Sequence, residues 1–289
     1  PGWGRLPRRL TRWLDHPVLL RWAGRMASMT SASQLGSTTV SMLSGEHGRQ
    51  KTELDALANW LADEARPQAV ILSSALLLGL ARNIRHRLQV PILCWLQDED
   101  GFLDGLGAPW SAQAWELLRN RLADADRFLA PTEDYRARMA ARLGLDPARI
   151  GVVRPGLDLA GYAAAASPSA RPTIGFLSPA LREKGLLELV EAVGALRDRL
   201  PGLRLSALGG ETAGSPPYVK QVRRRIRDLG LEAQVELLGN PGRPRRQAWL
   251  RTLSCLCVPE QHPEAAGLYV LEAAASGVPC VVPRLGGVC

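Results

Sequence analysis

From residue 68 onward, short β-rich apolar runs alternate with longer stretches of helical period, and no other feature constrains the fold so strongly. The runs fall at 68–73, 91–96, 127–130, 150–154, 173–177, 203–208, 234–238, 253–258 and 279–282. Most are continuously apolar, as strands buried on both faces must be. Periodic segments lie between them at 76–88, 112–123, 133–143, 185–200, 218–229 and 267–276. Gly144 and Gly230 follow two of these and suit left-handed helix C-caps. The pattern predicts α/β architecture: parallel strands in doubly wound sheets with helices on each face.

A chain of 289 residues suits about two domains of roughly 150 residues each. The best boundary is 154–172, where a strand runs into Pro155-Gly156 and then into Ala163-Ala164-Ala165-Ala166-Ser167-Pro168-Ser169, small residues without an apolar period. Two tandem Rossmann-like domains facing a cleft are expected, over 1–156 and 172–289, joined by a linker at 157–171. Apolar residues make up 46% of the chain, which excludes disorder and supplies two cores.

The longest uncharged apolar run, 69–81, is shorter than the ~20 residues of a membrane span. The opening Pro1-Gly2-Trp3-Gly4-Arg5 lacks the apolar core of a secretory signal. Cys94, Cys255, Cys257, Cys280 and Cys289 form no CxxC pair and no zinc spacing. Four of them sit in apolar runs, so reduced thiols and a cytoplasmic location are expected. The net charge of +8 divides evenly about Pro155, so no domain carries a basic footprint and no nucleic-acid partner is expected. Residues 5–14 set Arg5, Arg8, Arg9 and Arg12 against Leu6, Leu10, Trp13 and Leu14 at helical spacing. Peripheral contact with an anionic membrane at its inner face stands beside the plainer reading of a surface helix.

Open α/β sheets bind ligands at the carboxyl ends of their strands, which directs attention to the loops after the later runs. These carry Ser178-Pro179-Ala180-Leu181-Arg182-Glu183-Lys184-Gly185, then Gly209-Gly210, then the stretch from Pro259 through Glu264, Gly267 and Glu272, and last Gly286-Gly287. The Glu-x7-Glu spacing of Glu264 and Glu272 is uninformative alone, because Glu183 and Glu191 repeat it by chance. Context separates the pairs: Glu264 precedes a helix opened by Gly267, and Glu272 lies two turns further among Val270, Leu271, Ala273, Ala274 and Ala275. A carboxylate in so apolar a helix needs a partner, and a ligand hydroxyl would serve.

These motifs, together with Ile174-Gly175-Phe176-Leu177, Val235-Glu236-Leu237-Leu238-Gly239 and Val258-Pro259, resemble the donor-binding half of the retaining glycosyltransferases of family four, which have the two-Rossmann GT-B fold. The resemblance implies transfer of a hexosyl group from a nucleotide-sugar donor to a hydroxyl of a glycan, lipid or small molecule. The nucleotide-sugar is a substrate, and no cofactor or metal is implied. It puts Lys184 on the diphosphate, Glu264 on the donor sugar, Glu272 on the ribose, and the Gly286 and Gly287 amides on the sugar or diphosphate, with Gly209, Gly210 and Gly267 shaping the site. Many relatives carry an Arg where this chain has Pro179, and Arg182 is the expected substitute.

The first domain resembles the acceptor half through Ser73-Ser74, Val90-Pro91-Ile92-Leu93, Ala125 to Thr132 and Val153-Arg154-Pro155-Gly156, and 41–49 is similar to a bacterial subgroup. His47, Gln97 and Asp98 are the acceptor-side candidates, Gln97 standing where many relatives carry His. His16, His86 and His262 are expected at the surface. Asp98 and Asp100 have a metal-like spacing, but a solvated or acceptor-hydroxyl role is expected of them. The family's first strand is expected to precede Pro1 and its last helices to follow Cys289, leaving the N-terminal domain incomplete. Two other functions fit the fold: a sugar-nucleotide 2-epimerase, which would use more cleft histidines, and a degenerate nucleotide-sugar-binding protein.

Overall fold

A computed structural model describes residues 32–167, 171–210 and 215–288. The chain divides into two compact units, Pro1–Arg154 and Pro155–Cys289. The basic stretch 5–14 and His16 lie outside the described residues.

Among the described residues, the first unit holds four parallel strands, β1 (Val70–Leu72), β2 (Ile92–Trp95), β3 (Arg127–Ala130) and β4 (Ile150–Val152), side by side in chain order. Helices α1 (Ala32–Leu43), α2 (Lys51–Trp60), α3 (Ala81–Leu88), α4 (Glu99–Gly105), α5 (Trp110–Asn120) and α6 (Glu133–Leu143) accompany them. All four strands lie within runs read from the sequence. Ile92, Cys94, Phe128, Ala130 and Ile150 are buried, whereas Ile71 on the edge strand is exposed. The segment 76–88, expected as one helix, is a tight helical stretch Ala75–Leu80 that leads into α3. Ser74 caps it by accepting from the Leu76 amide.

The second unit has five parallel strands: β5 (Thr173–Leu177), β6 (Arg204–Leu208), β7 (Val235–Leu238), β8 (Cys255–Cys257) and β9 (Cys280–Val281). Their spatial order is β7-β6-β5-β8-β9. The chain starts in the middle, winds outward to β7, then returns to the other side of β5. The carboxyl ends of β5 and β8, neighbours paired through Ile174 with Cys255 and Gly175 with Leu256, therefore mark the point where winding direction reverses, the place where such sheets bind ligands. Helices α7 (Leu186–Leu196), α8 (Pro216–Asp228), α9 (Arg243–Leu250) and α10 (Leu268–Ala275) complete the unit. One core joins sheet and helices through Phe176, Val190, Leu205, Val222, Leu250 and Leu256.

Residues 155 and 156, expected at the end of the first domain, and 157–167 of the expected linker lie with the second unit. Tyr162 packs on its core, the Arg243 guanidinium bonds Asp158, and the Gln247 amide donates to the Ala160 carbonyl at 2.8 Å. Runs of alanine hide this anchoring, because three isolated side chains supply it. Cys94 is buried and Cys255, Cys257 and Cys280 are half-buried, all as free thiols. Among the described residues no helix is long and apolar enough to cross a membrane.

Candidate active site

The loops after β5 and β8 are locked together where the winding reverses. Gly185 has φ +76°, and a Cβ there would stand 2.1 Å from the Pro259 carbonyl oxygen, so only glycine permits this approach. Two residues away on each loop, the Gln261 amide donates to the Glu183 carbonyl at 2.8 Å. Between these two locks lies Lys184. Its ammonium donates to Glu260 Oε1 at 3.0 Å and to Glu264 Oε2. Burial works against the charged lysine, but the two carboxylates outweigh it and hold its pKa above the ordinary value.

Glu264 is fixed in turn by the last loop. Its backbone carbonyl accepts from the Gly287 amide at 2.8 Å, and Glu264 pairs with Gly286 in an isolated parallel bridge. Gly286 has φ +68°, and a Cβ there would meet Glu264 backbone atoms at 2.6 and 2.7 Å. Gly267 opens α10 directly after this loop. Gly209 packs against the Ser178 carbonyl so closely that a Cβ would lie 1.9 Å from it, and the Gly210 carbonyl accepts from Ala180. Phe176, Ser178, Gly209, Val222, Leu237 and Gly239 line a cavity of about 240 Å³ at this end of β5, β6 and β7.

Glu272 faces Arg246 of α9, with Nη2 to Oε1 at 3.0 Å and the Glu272 side chain 13% exposed. The partner expected for this carboxylate is therefore present within the protein. The Tyr162 hydroxyl and Arg246 Nε nearby are buried without hydrogen-bond partners. Arg182 turns toward α8. Its guanidinium bonds Gln221 at 2.9 Å and stacks over the Tyr218 ring, so α8 holds it and the Lys184 cluster does not include it.

In the first unit the acceptor-side candidates Gln97 and Asp98 follow β2, and His47 lies in the loop after α1. Gln97 donates from its side chain to the Ser73 carbonyl at 2.7 Å, and Asp98 holds φ +61°, a strained setting that Asp tolerates better than most. His47 is exposed beside Glu46. Beneath that loop, buried Arg121 bonds Glu46 at 2.8 Å and the Ser44 carbonyl, fixing its path.

The solvated or acceptor-facing role expected for Asp100 is overturned: Asp100 is buried, accepts from the Tyr135 hydroxyl at 3.3 Å and pairs with Arg138 at 3.4 Å. Glu99, buried beside it, accepts from Ser74 Oγ, the Ala75 and Gln97 amides and the Tyr135 hydroxyl. Its four partners come from the loops after β1 and β2 and from α6, so Glu99 joins segments that sequence order keeps far apart. Among the described residues no cluster of His, Cys, Asp and Glu is arranged to hold a metal ion.

Two α/β units of this topology, with a lysine and carboxylates gathered at the second sheet's reversal point, define a protein of the GT-B class. The Anabaena protein HepE, solved with UDP and glucose, has the same fold, with 20% identity and a TM-score of 0.69 over 83% of this chain and 66% of that one. Sucrose-phosphate synthase of Thermosynechococcus elongatus is similar at 18% identity and TM-score 0.66, covering 83% and 63% of the two chains. Residues 35–160 match the model of Glycosyltransferase Family 4 and residues 163–289 that of Glycosyl transferases group 1, and the chain belongs to this family. A D-inositol 3-phosphate glycosyltransferase of Pseudarthrobacter chlorophenolicus is 33% identical over 60% of this chain and 43% of its own length. That of Kribbella flavida is 30% identical over 56% and 41%. The chain spans under half the length of these curated relatives.

Proposed function

We propose that the protein transfers a hexosyl group, with retention, from a nucleotide-sugar to a hydroxyl of a glycan, lipid or small molecule, in the cytoplasm. The observation that carries this reading is the Lys184–Glu264 pair, fixed by Gly185 and Gly286 at the reversal point of a sheet within the group 1 segment. A departing nucleoside diphosphate gains negative charge in the transition state. The Lys184 ammonium, the Gly286 and Gly287 amides and the α10 N-terminus meet that charge. Glu264 accepts from hydroxyls of the donor sugar, and Glu272, with the unpaired Tyr162 hydroxyl beside it, takes the ribose. HepE is solved in complex with UDP and glucose and with UDP-glucose, which makes a uridine donor the first to try.

With cationic and amide groups on the diphosphate, a divalent cation is redundant in this scheme. Incubation with labelled UDP-, GDP- and ADP-sugars, with and without excess EDTA, tests it. Transfer or slow donor hydrolysis that survives EDTA is the expected result. Epimerisation of the sugar would overturn transfer, and activity abolished by EDTA and restored by Mg²⁺ would overturn the charge assignment.

A further inference from the structure

Lys184 meets a second carboxylate that the donor assignments leave without a task. Glu260 stands three residues past the end of β8, its side chain is 1% exposed against 21% for Glu264, and its Oε1 accepts from Lys184 at 3.0 Å. Its other oxygen, Oε2, is buried without a hydrogen-bond partner. So is the hydroxyl of Tyr269, on the first turn of α10, which feels the Glu260 charge. A buried carboxylate oxygen with no donor is costly when ionised. Once protonated, the Glu260 carboxyl becomes a donor, and the Glu264 carboxylate is the acceptor beside it.

We propose that Glu260 is a positioning residue of the donor site: it anchors the Lys184 ammonium beside Glu264 and takes up a proton from solvent when the pyrophosphate group of a nucleotide-sugar binds. This rests on the donor-site reading above. With both carboxylates ionised, the Glu260–Lys184–Glu264 cluster carries one net negative charge and opposes an anionic ligand. Neutralising the more deeply buried of the two removes that opposition while Oε1 keeps its hold on Lys184. The groups facing the Glu260 carboxyl are Lys184 from the turn before α7, Glu264 from its own loop and Tyr269 from α10; Cys280 of β9 acts on Tyr269 from behind. Burial first, then Glu264, push the Glu260 carboxyl up to about 7 against the pull of Lys184, so the proton is exchanged near neutral pH. Arriving negative charge raises it further.

Calorimetric titration of the protein and of Glu260→Gln with UDP-glucose, GDP-glucose and ADP-glucose from pH 6 to 8.5, in two buffers of different ionisation enthalpy, tests this. The pyrophosphate diester of these probes does not titrate over that range. The unaltered protein is expected to take up part of a proton per ligand near pH 7 and to lose about tenfold in affinity between pH 6 and 8.5. Glu260→Gln takes up none, keeps a flat profile and matches the unaltered protein at pH 6, whereas Glu260→Ala, lacking the anchor, binds more weakly at every pH. Equal proton uptake and equal slope in Glu260→Gln overturn the proposal and leave the donor reading intact. If no probe binds the unaltered protein, the donor reading fails, and ligand-free melting from pH 5 to 8 judges Glu260 itself. The carboxyl, protonated in the folded state above its unfolded value, makes the unaltered protein lose stability relative to Glu260→Gln as pH climbs through 7. Parallel melting curves contradict this. Should Glu260→Gln fail to fold, Tyr269→Phe replaces it: loss of a hydroxyl that can donate to the ionised Glu260 carboxylate moves the midpoint of the affinity profile to higher pH, and an unmoved midpoint overturns the proposal.

Discussion

At Glu272 the sequence posed a question that the structure answers with a residue 26 positions away. A carboxylate among alanines needs a partner, and Arg246 supplies one. The buried Tyr162 hydroxyl lies beside both. Because ribose is unchanged in the reaction, Glu272→Ala is expected to raise the donor KM about tenfold or more with kcat little changed, as steady-state kinetics would show. Equal loss in both parameters would place Glu272 in the chemical step. Motif and order single out Lys184 and Glu264 in the sequence, and the structure brings the two side chains together. They do not single out Glu260, although a Glu soon after an apolar strand end is an available signal. Its significance depends on burial, and burial depends on how α10 folds over it.

The elements were read more completely than their joints. All nine strands coincide with apolar runs, since a strand buried on both faces writes its own signal, and α6 matches its expected bounds. Four helices escaped notice. The Arg243–Leu250 helix, for example, buries only Gln247, Trp249 and Leu250 within a run of arginines, too few apolar positions to show a period. The joints rest on pairs far apart in sequence, and Glu99 is the clearest case. Its carboxylate accepts from 74, 75, 97 and 135, which no local pattern reveals. Glu99→Ala leaves several buried donors unpaired and is expected to cost on the order of 3 kcal/mol in urea unfolding, with the loops after β1 and β2 losing amide-exchange protection first. A loss below about 0.5 kcal/mol would mean that the loops are held by other contacts.

For the whole molecule, each unit has its own parallel sheet, and the second unit's core draws every member from residues 162–288. Residues 155–289 are therefore expected to fold alone, with a single cooperative transition in circular dichroism. A featureless melt would show that the first unit is needed to complete that core. Anchoring of 155–162 by Arg243 and Gln247 places the start of this fragment before Tyr162.

The central claim is that Lys184, held where the second sheet reverses its winding, stabilises the departing nucleoside diphosphate. Turnover of a labelled nucleotide-sugar by Lys184→Ala, compared with the unaltered protein in excess EDTA, tests it most directly. The account predicts that kcat/KM falls by about 2 to 4 kcal/mol in transition-state stabilisation, the scale of losing a donor aimed at developing charge. Undiminished turnover by Lys184→Ala would contradict it.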